Sequence, residues 1–313
     1  MEASNNKHKY YNRWLVAMAY LLVIIIWSTT PLTIKWSGDG VSYLFGFVLR
    51  MLIGAVIAML LALLMYKKIP VNKSALQAYA ASALALFGGM LPVYWGAQYI
   101  SSGLISVIFG LSPMVTGYLS WRFINEQGFN AVKITGGLLG VVGLMVIFLE
   151  DSAIGDNYLY GVASVLFAVF IHCASAVWIK SIKVDMPPLS LVAGGLLFSM
   201  PLFITVYLIY APPLPAHIPE KAIWSIVYLG VVGSVLGFVS YYYLLKHLAT
   251  STVALITLIT PVTALWIGYV LNAEVLSAGI YTGTGFVLTG LALHQWGDVL
   301  SNRLWKKRNI YYG

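Results

Sequence analysis

Two side chains inside otherwise apolar runs have the chemistry to act at membrane depth. Arg50 falls within the run 43–65, about 10 Å from its edge at roughly 1.5 Å per helical residue. Burying a guanidinium there costs several kcal/mol unless it is paired or its stem reaches the interface. It is therefore a cationic anchor for a substrate carboxylate, an ion-pair gate, or a snorkelling residue. His172, in the run 158–179, can hydrogen-bond a substrate or exchange a proton near neutral pH, and a satisfied core histidine is the alternative. His247 and His294 fall near run ends and read as interfacial or structural. No histidines share a helix turn at ligand spacing, and a lone Cys173 excludes an intramolecular disulfide or a cysteine-based zinc site. No metal or cofactor is expected.

Every Asp and Glu falls at a run edge or in a loop. Cation-coupled carriers generally hold a carboxylate inside the membrane. Its absence favours facilitated diffusion or exchange, with His172 the remaining route for proton coupling. Glu126 and Glu274 each stand in a short loop before a helix, where capping and dipole complementarity account for them. An intramembrane enzyme would need a nucleophile–base pair. His172 and Cys173, being adjacent, diverge on a helix. There is no Gly-x4-Gly-Lys-Ser/Thr segment, so ATP drive is not built in.

Aromatic residues make up 14% of the chain. An interfacial belt claims Tyr10, Tyr11, Trp14, Tyr66, Trp296, Trp305, Tyr311 and Tyr312. Deeper rings at Trp27, Tyr94, Trp95, Trp178, Tyr241, Tyr242 and Trp266 would suit an aromatic or amphipathic substrate through stacking and cation–π contact, or simply pack the core. Prolines at Pro31, Pro92, Pro113, Pro201 and Pro261 lie inside the runs, where each frees a carbonyl. The row Ser102, Ser106, Gly110, Pro113 and Gly117 forms a smooth stripe for close packing or sliding. Gly136, Gly140 and Gly143 form a small-residue packing motif.

These residues are positioned by a chain that lipid must cover. Of 313 residues, 60% are apolar and 9% charged, with mean hydropathy +0.86. Soluble domains are roughly half apolar and a quarter charged. A soluble globule and a disordered chain are excluded. The net charge of +8 carries no basic tract with interleaved aromatics, so nucleic acid is not an expected partner. Ten runs are long enough to span: 14–34, 43–65, 75–99, 104–124, 130–149, 158–179, 189–211, 222–245, 252–271 and 279–297. They are continuously apolar, which excludes barrel strands. The first is too long for a signal-peptide core and lacks a cleavage site, so it belongs to the bundle. With the N-terminus placed in the cytoplasm, inside segments hold fifteen Lys and Arg, and outside loops hold only Lys35 and Lys221. Both termini are expected in the cytoplasm.

A shift of 148 residues lays Pro113 on Pro261 and Glu126 on Glu274 without a gap, and Gly137 on Gly285. A shift of 145 lays Trp27–Lys35 on His172–Lys180. Five runs per copy force the copies to cross in opposite senses. The loop with Arg122 and Lys133 is matched by one with neither Lys nor Arg. Inverted repeats of this kind are a transporter signature, with substrate held near the midplane.

The segments Trp27-Ser28-Thr29-Thr30-Pro31 with Lys35, Phe47-Val48-Leu49-Arg50, Tyr94-Trp95-Gly96-Ala97-Gln98-Tyr99 leading to Pro113, and Tyr242-Tyr243-Leu244-Leu245-Lys246-His247 leading to Pro261 resemble the EamA-type, ten-span members of the drug/metabolite transporter superfamily. The resemblance implies an all-α polytopic membrane protein with ten transmembrane helices, arranged as two inverted five-helix repeats around a central cavity. The repeats would occupy 14–149 and 158–297, with cytoplasmic tails 1–13 and 298–313. The expected substrate-binding set is Trp27, Arg50, Tyr94, Gln98, His172, Trp178, Tyr242 and Trp266, with Pro31, Pro113 and Pro261 as hinges. The implied function is an alternating-access carrier exporting small metabolites, amino acids first, across a bacterial-type inner membrane. Nucleotide sugars or cationic amines, with proton coupling through His172, are the alternative. The expected partners are a small-molecule substrate and the bilayer, with the carrier a monomer or a homodimer.

Overall fold

Apolar stretches of this length meet no water to satisfy their backbone, so each closes its own hydrogen bonds as a helix. The computed structural model describes residues 13–125, 131–151, 157–210, 212 and 214–311, and these contain helices and no strands. In chain order the helices are α1 Arg13–Ser37, α2 Tyr43–Tyr66, α3 Lys73–Gly96, α4 Ser102–Ile124, α5 Ala131–Asp151, α6 Tyr158–Ile182, α7 Pro188–Tyr210, α8 Glu220–His247, α9 Thr252–Asn272 and α10 Ala278–Tyr311. Among the described residues, α1–α4 and α6–α9 are long and apolar enough to cross a membrane, and α5 holds a shorter apolar stretch, Val132–Ile147. Glu126, Asp156, Lys7, Lys9, Tyr10, Tyr11 and Tyr312 lie outside the described residues.

Caps fix several helix starts. Ser42, Asn72 and Ser101 accept from the backbone amides of Leu44, Ala75 and Leu104. Residues from 298 continue α10 as helix to Tyr311.

The packing exchanges the two halves. α1 packs on α9 as α6 packs on α4, α2 packs on α8 as α7 packs on α3, and α5 packs along α10. Each helix thus buries its face against the opposite repeat. α3 and α8 both open into π-helical turns, at Leu84–Gly89 and Leu229–Gly237. The 148-residue shift carries Gly89 onto Gly237, so this widening belongs to the repeat. The α5–α10 contact rests on missing side chains. A Cβ at Gly136 would meet the Gly290 carbonyl, and one at Gly143 would lie 2.9 Å from Phe286 Cβ and Val287 Cγ2.

Candidate functional site

Proline placement sets up the centre of the bundle. Pro31, Pro113 and Pro261 lack the amide hydrogen that would reach the carbonyl four residues earlier. Those carbonyls belong to Trp27, Phe109 and Thr257. In α4 the helix lapses at Gly110-Leu111, and the Phe109 carbonyl accepts the Ser112 hydroxyl at 2.6 Å. Trp27, Phe109 and Thr257 meet His172 of α6 in a constriction between two cavities. The near face is the one where α1 begins and α10 ends, and the far face is opposite.

The far cavity leaves about 60 Å³ open to the centre of a water molecule. Its walls add Thr30, Pro31 and Ile34 of α1, Arg50 of α2, Met90 and Val93 of α3, Ile105 and Ser106 of α4, Gly233 and Phe238 of α8, and Thr260 of α9. The near cavity is smaller, about 20 Å³ by the same measure, and adds Ser112, Thr116, Cys173, Tyr241, Thr250, Val253 and Ala254. The 148-residue shift carries Ile105, Ser106 and Phe109 onto Val253, Ala254 and Thr257, and Ser112 onto Thr260. The 145-residue shift carries Trp27 onto His172. The cavities are two copies of one surface, with the constriction on the pseudo-two-fold axis.

Charge breaks that symmetry. Arg50 is only 1% exposed. Its Nε donates to Ser234 Oγ at 2.9 Å and its Nη1 to the Tyr94 hydroxyl at 3.4 Å. Ser234 lies in the π-helical turn of α8, and beside it a Cβ on Gly233 would come within 3.3 Å of Nη2. No carboxylate reaches Arg50 within ion-pair distance among the described residues. The Ser234 and Tyr94 hydroxyls and the Tyr94 ring, 5.8 Å from the guanidinium carbon, face the charge. The 145-residue shift carries Arg50 onto Gly195, whose missing side chain makes room for Ser82 and Leu86. The near cavity has no corresponding cation.

His172 is 5% exposed and neither ring nitrogen has a hydrogen-bond partner. Rings of Trp27, Tyr241, Phe109 and Phe238 surround it, with centroids 5.6, 5.3, 6.1 and 6.3 Å away. A buried imidazole left in this state leaves hydrogen-bonding capacity that a ligand or water can use.

Each face carries a polar latch between the repeats, beside a lysine that bonds a carbonyl of its own repeat. At the far face Lys35 Nζ donates to the Ile100 carbonyl at 3.1 Å and lies 3.8 Å from Glu274 Oε1. Glu274 accepts from the Ser102 amide at 3.1 Å, the Ser102 hydroxyl at 2.8 Å and the Gly103 amide at 3.3 Å. It caps a helix, as expected, but that helix is α4 of the other repeat and not the α10 that follows it. At the near face Lys180 Nζ donates to the Leu248 carbonyl, and the Ser120 and Thr250 hydroxyls are 2.8 Å apart. The shifts of 145 and 148 carry Lys35 onto Lys180 and Ile100 onto Leu248.

Of the eight expected binding residues, Trp27, Arg50 and His172 line the far cavity, and Tyr94 supports Arg50 from behind. The other four are elsewhere. Trp178 and Trp266 are 42% and 68% exposed on the outside of the bundle. Trp178 is six residues beyond His172 and Trp266 six beyond Thr260, about 240° around a helix of 3.6 residues per turn. Gln98 falls in the turn after α3 and bonds the Trp95 carbonyl. Tyr242 bonds Ser82 and borders a separate near-face groove with Lys180, Asp185 and Lys246. Its neighbour Tyr241 reaches the constriction instead. Of the three prolines expected as hinges, Pro31 is in the cavity wall, while Pro113 and Pro261 each follow a lining residue, Ser112 and Thr260. Ser106, Phe109, Thr257, Thr260, Ser234 and Phe238 were not expected there. The repeat was the available signal, since residues four before Pro113 and Pro261 are Phe109 and Thr257. The small-residue stripe of α4 splits its work: Ser106 lines the cavity, whereas Gly110 and Gly117 pack on α10.

The profile of the EamA-like transporter family matches residues 14–149 and 159–294, one match for each repeat. An uncharacterised transporter of Bacillus subtilis, YoaV, is 24% identical over 281 residues, 89% of this chain and 96% of its own. An uncharacterised transporter of Archaeoglobus fulgidus is 30% identical over 220 residues, 67% and 74% of the two chains. PagO of Salmonella typhimurium is 22% identical over 255 residues, 80% and 82%. A crystal structure with 17% identity superposes with a TM-score of 0.67, covering 94% of this chain and 99% of the other, so the fold is shared. With two matched repeats, helices that pack by exchange across them and a central cavity, the chain belongs to the EamA-like transporter family.

Proposed function

We propose that this transporter is a secondary carrier for small carboxylate-bearing metabolites, amino acids among them, exporting them across a bacterial-type inner membrane by facilitated diffusion or exchange. The observation that carries the reading is Arg50, a buried cation without a protein counter-charge in the wall of the central cavity. A bound carboxylate supplies that charge and takes the guanidinium in a charge-assisted pair. Like-charge repulsion disfavours quaternary amines, and the limited volume open to water disfavours nucleotide sugars. The repeat supports alternating access: two matching cavities meet at one constriction, with a polar latch at each face. No Asp or Glu lines either cavity among the described residues, which supports uncoupled exchange. His172, at the constriction with unpaired nitrogens, favours proton coupling as the second reading.

Counterflow of labelled carboxylates, amino acids included, into proteoliposomes with and without a pH gradient tests both. Saturable exchange indifferent to the gradient and lost in Arg50→Ala is the expected result. Gradient-driven uptake abolished by His172→Gln replaces uncoupled exchange with proton coupling. If no carboxylate exchanges, the anchor reading fails.

A further inference from the structure

The far cavity offers one positive charge and no negative one. A site out of water favours an occupant that brings its net charge to zero. A monocarboxylate does so with Arg50, whereas a zwitterionic amino acid leaves the cavity with the charge it had. The position of the second charge matters too. An α-ammonium is one carbon from the carboxylate and must lie beside the guanidinium. There the nearest hydroxyls, Ser234 and Tyr94, already accept from Arg50. Met90 and Val93 in the wall are apolar, and its hydroxyls, Thr30, Ser106, Thr257 and Thr260, carry no charge to offset an ammonium.

The other end of the cavity is polar in a different manner. His172 holds two unpartnered nitrogens among four aromatic rings. These rings and the apolar wall suit an aromatic body through stacking. A hydroxyl or N–H at its far end meets the imidazole.

We propose that, among the carboxylates Arg50 can anchor, the site prefers aromatic monocarboxylates that lack an α-ammonium over the amino acids, with Arg50 holding the carboxylate and His172 hydrogen-bonding a polar group at the opposite end of the ring. This rests on the reading of Arg50 as a carboxylate anchor.

The test is calorimetric binding to the purified full chain in detergent near pH 7.5. The probes are 3-phenylpropionate, 3-(4-hydroxyphenyl)propionate, L-phenylalanine and phenethylamine. 3-Phenylpropionate is expected to bind about 10- to 100-fold more tightly than L-phenylalanine, with phenethylamine weakest. The hydroxylated acid should gain a further 3- to 10-fold or so, and that gain should vanish in His172→Phe. Arg50→Gln should lose both acids, and Arg50→Lys should keep part of the affinity. The wild-type ratios need no variant to fold. If L-phenylalanine matches or exceeds 3-phenylpropionate and both are lost in Arg50→Gln, the selectivity is overturned while the anchor stands. If the acids differ as expected but hydroxylation brings no gain, the role of His172 is overturned. If neither acid binds, or Arg50→Gln binds them unchanged, the anchor fails and this inference with it.

Discussion

Glutamine at position 274 keeps the shape of the far-face latch and removes its charge. The carboxylate accepts three hydrogen bonds from Ser102 and Gly103, at 2.8 to 3.3 Å, and one from Asn272 Nδ2 at 3.2 Å. Bonds to a charged partner contribute roughly 1.5–3 kcal/mol and neutral ones about 0.5–1.5. Glutamine presents one acceptor oxygen and turns an NH2 group against the remaining donors. Lys35 adds Coulomb attraction across 3.8 Å, about 1 kcal/mol in bulk water and about 4 at an effective dielectric of 20. Its 29% exposed side chain keeps the pair toward the lower value. The net loss is about 2–4 kcal/mol, or roughly 30- to 1,000-fold in the balance between latched and open far faces. The assay is the rate at which an impermeant thiol reagent labels Thr260→Cys, in the far-cavity wall, in a Cys173→Ala background. Glu274→Gln should raise that rate by at least about 30-fold, up to the limit at which the open state dominates. A rate within twofold of the parent would refute the latch and leave Glu274 as a helix cap alone.

Three more outcomes follow from neighbouring contacts. Gly268→Ala puts a Cβ against Glu274 Oε2 and 3.0 Å from Ser102 Oγ, so it should speed the same labelling without altering any charge. Arg50→Met removes an uncompensated buried charge. Thermal unfolding in detergent should show stability held or raised, by as much as about 1–4 kcal/mol, while binding of carboxylates is lost. Gly143→Val drives a side chain into the Gly283 carbonyl, Phe286 and Val287. It should cost about 1–3 kcal/mol in the same melt. Ligand affinity should stay unchanged, because no residue of α5 or α10 lines the far cavity.

Much of this protein is written in one dimension. Apolar length alone dictates helices, because lipid leaves the backbone no other partner. The offset of 148 residues between Pro113 and Pro261 exposes the duplication, and a proline acts on the carbonyl four residues back wherever the helix packs. Arg50 and His172 stood out for a similar reason: polar groups in apolar runs are costly and few. Which face of each helix turns inward was not legible. With aromatic and aliphatic residues on all sides, a helix in lipid shows no polar stripe to mark its outside, and Trp178 and Trp266 were indistinguishable from Trp27 until their neighbours were in place. Contacts between repeats were equally hidden. Glu274 caps a helix 172 residues earlier in the chain, and Ser234 meets Arg50 across 184 residues, through a π-helical turn that hydropathy does not register. Sequence determined the segments and their duplication because those depend on local chemistry. Tertiary structure decided the site, because an unpaired charge or an unpartnered imidazole is defined by what the rest of the chain fails to bring to it.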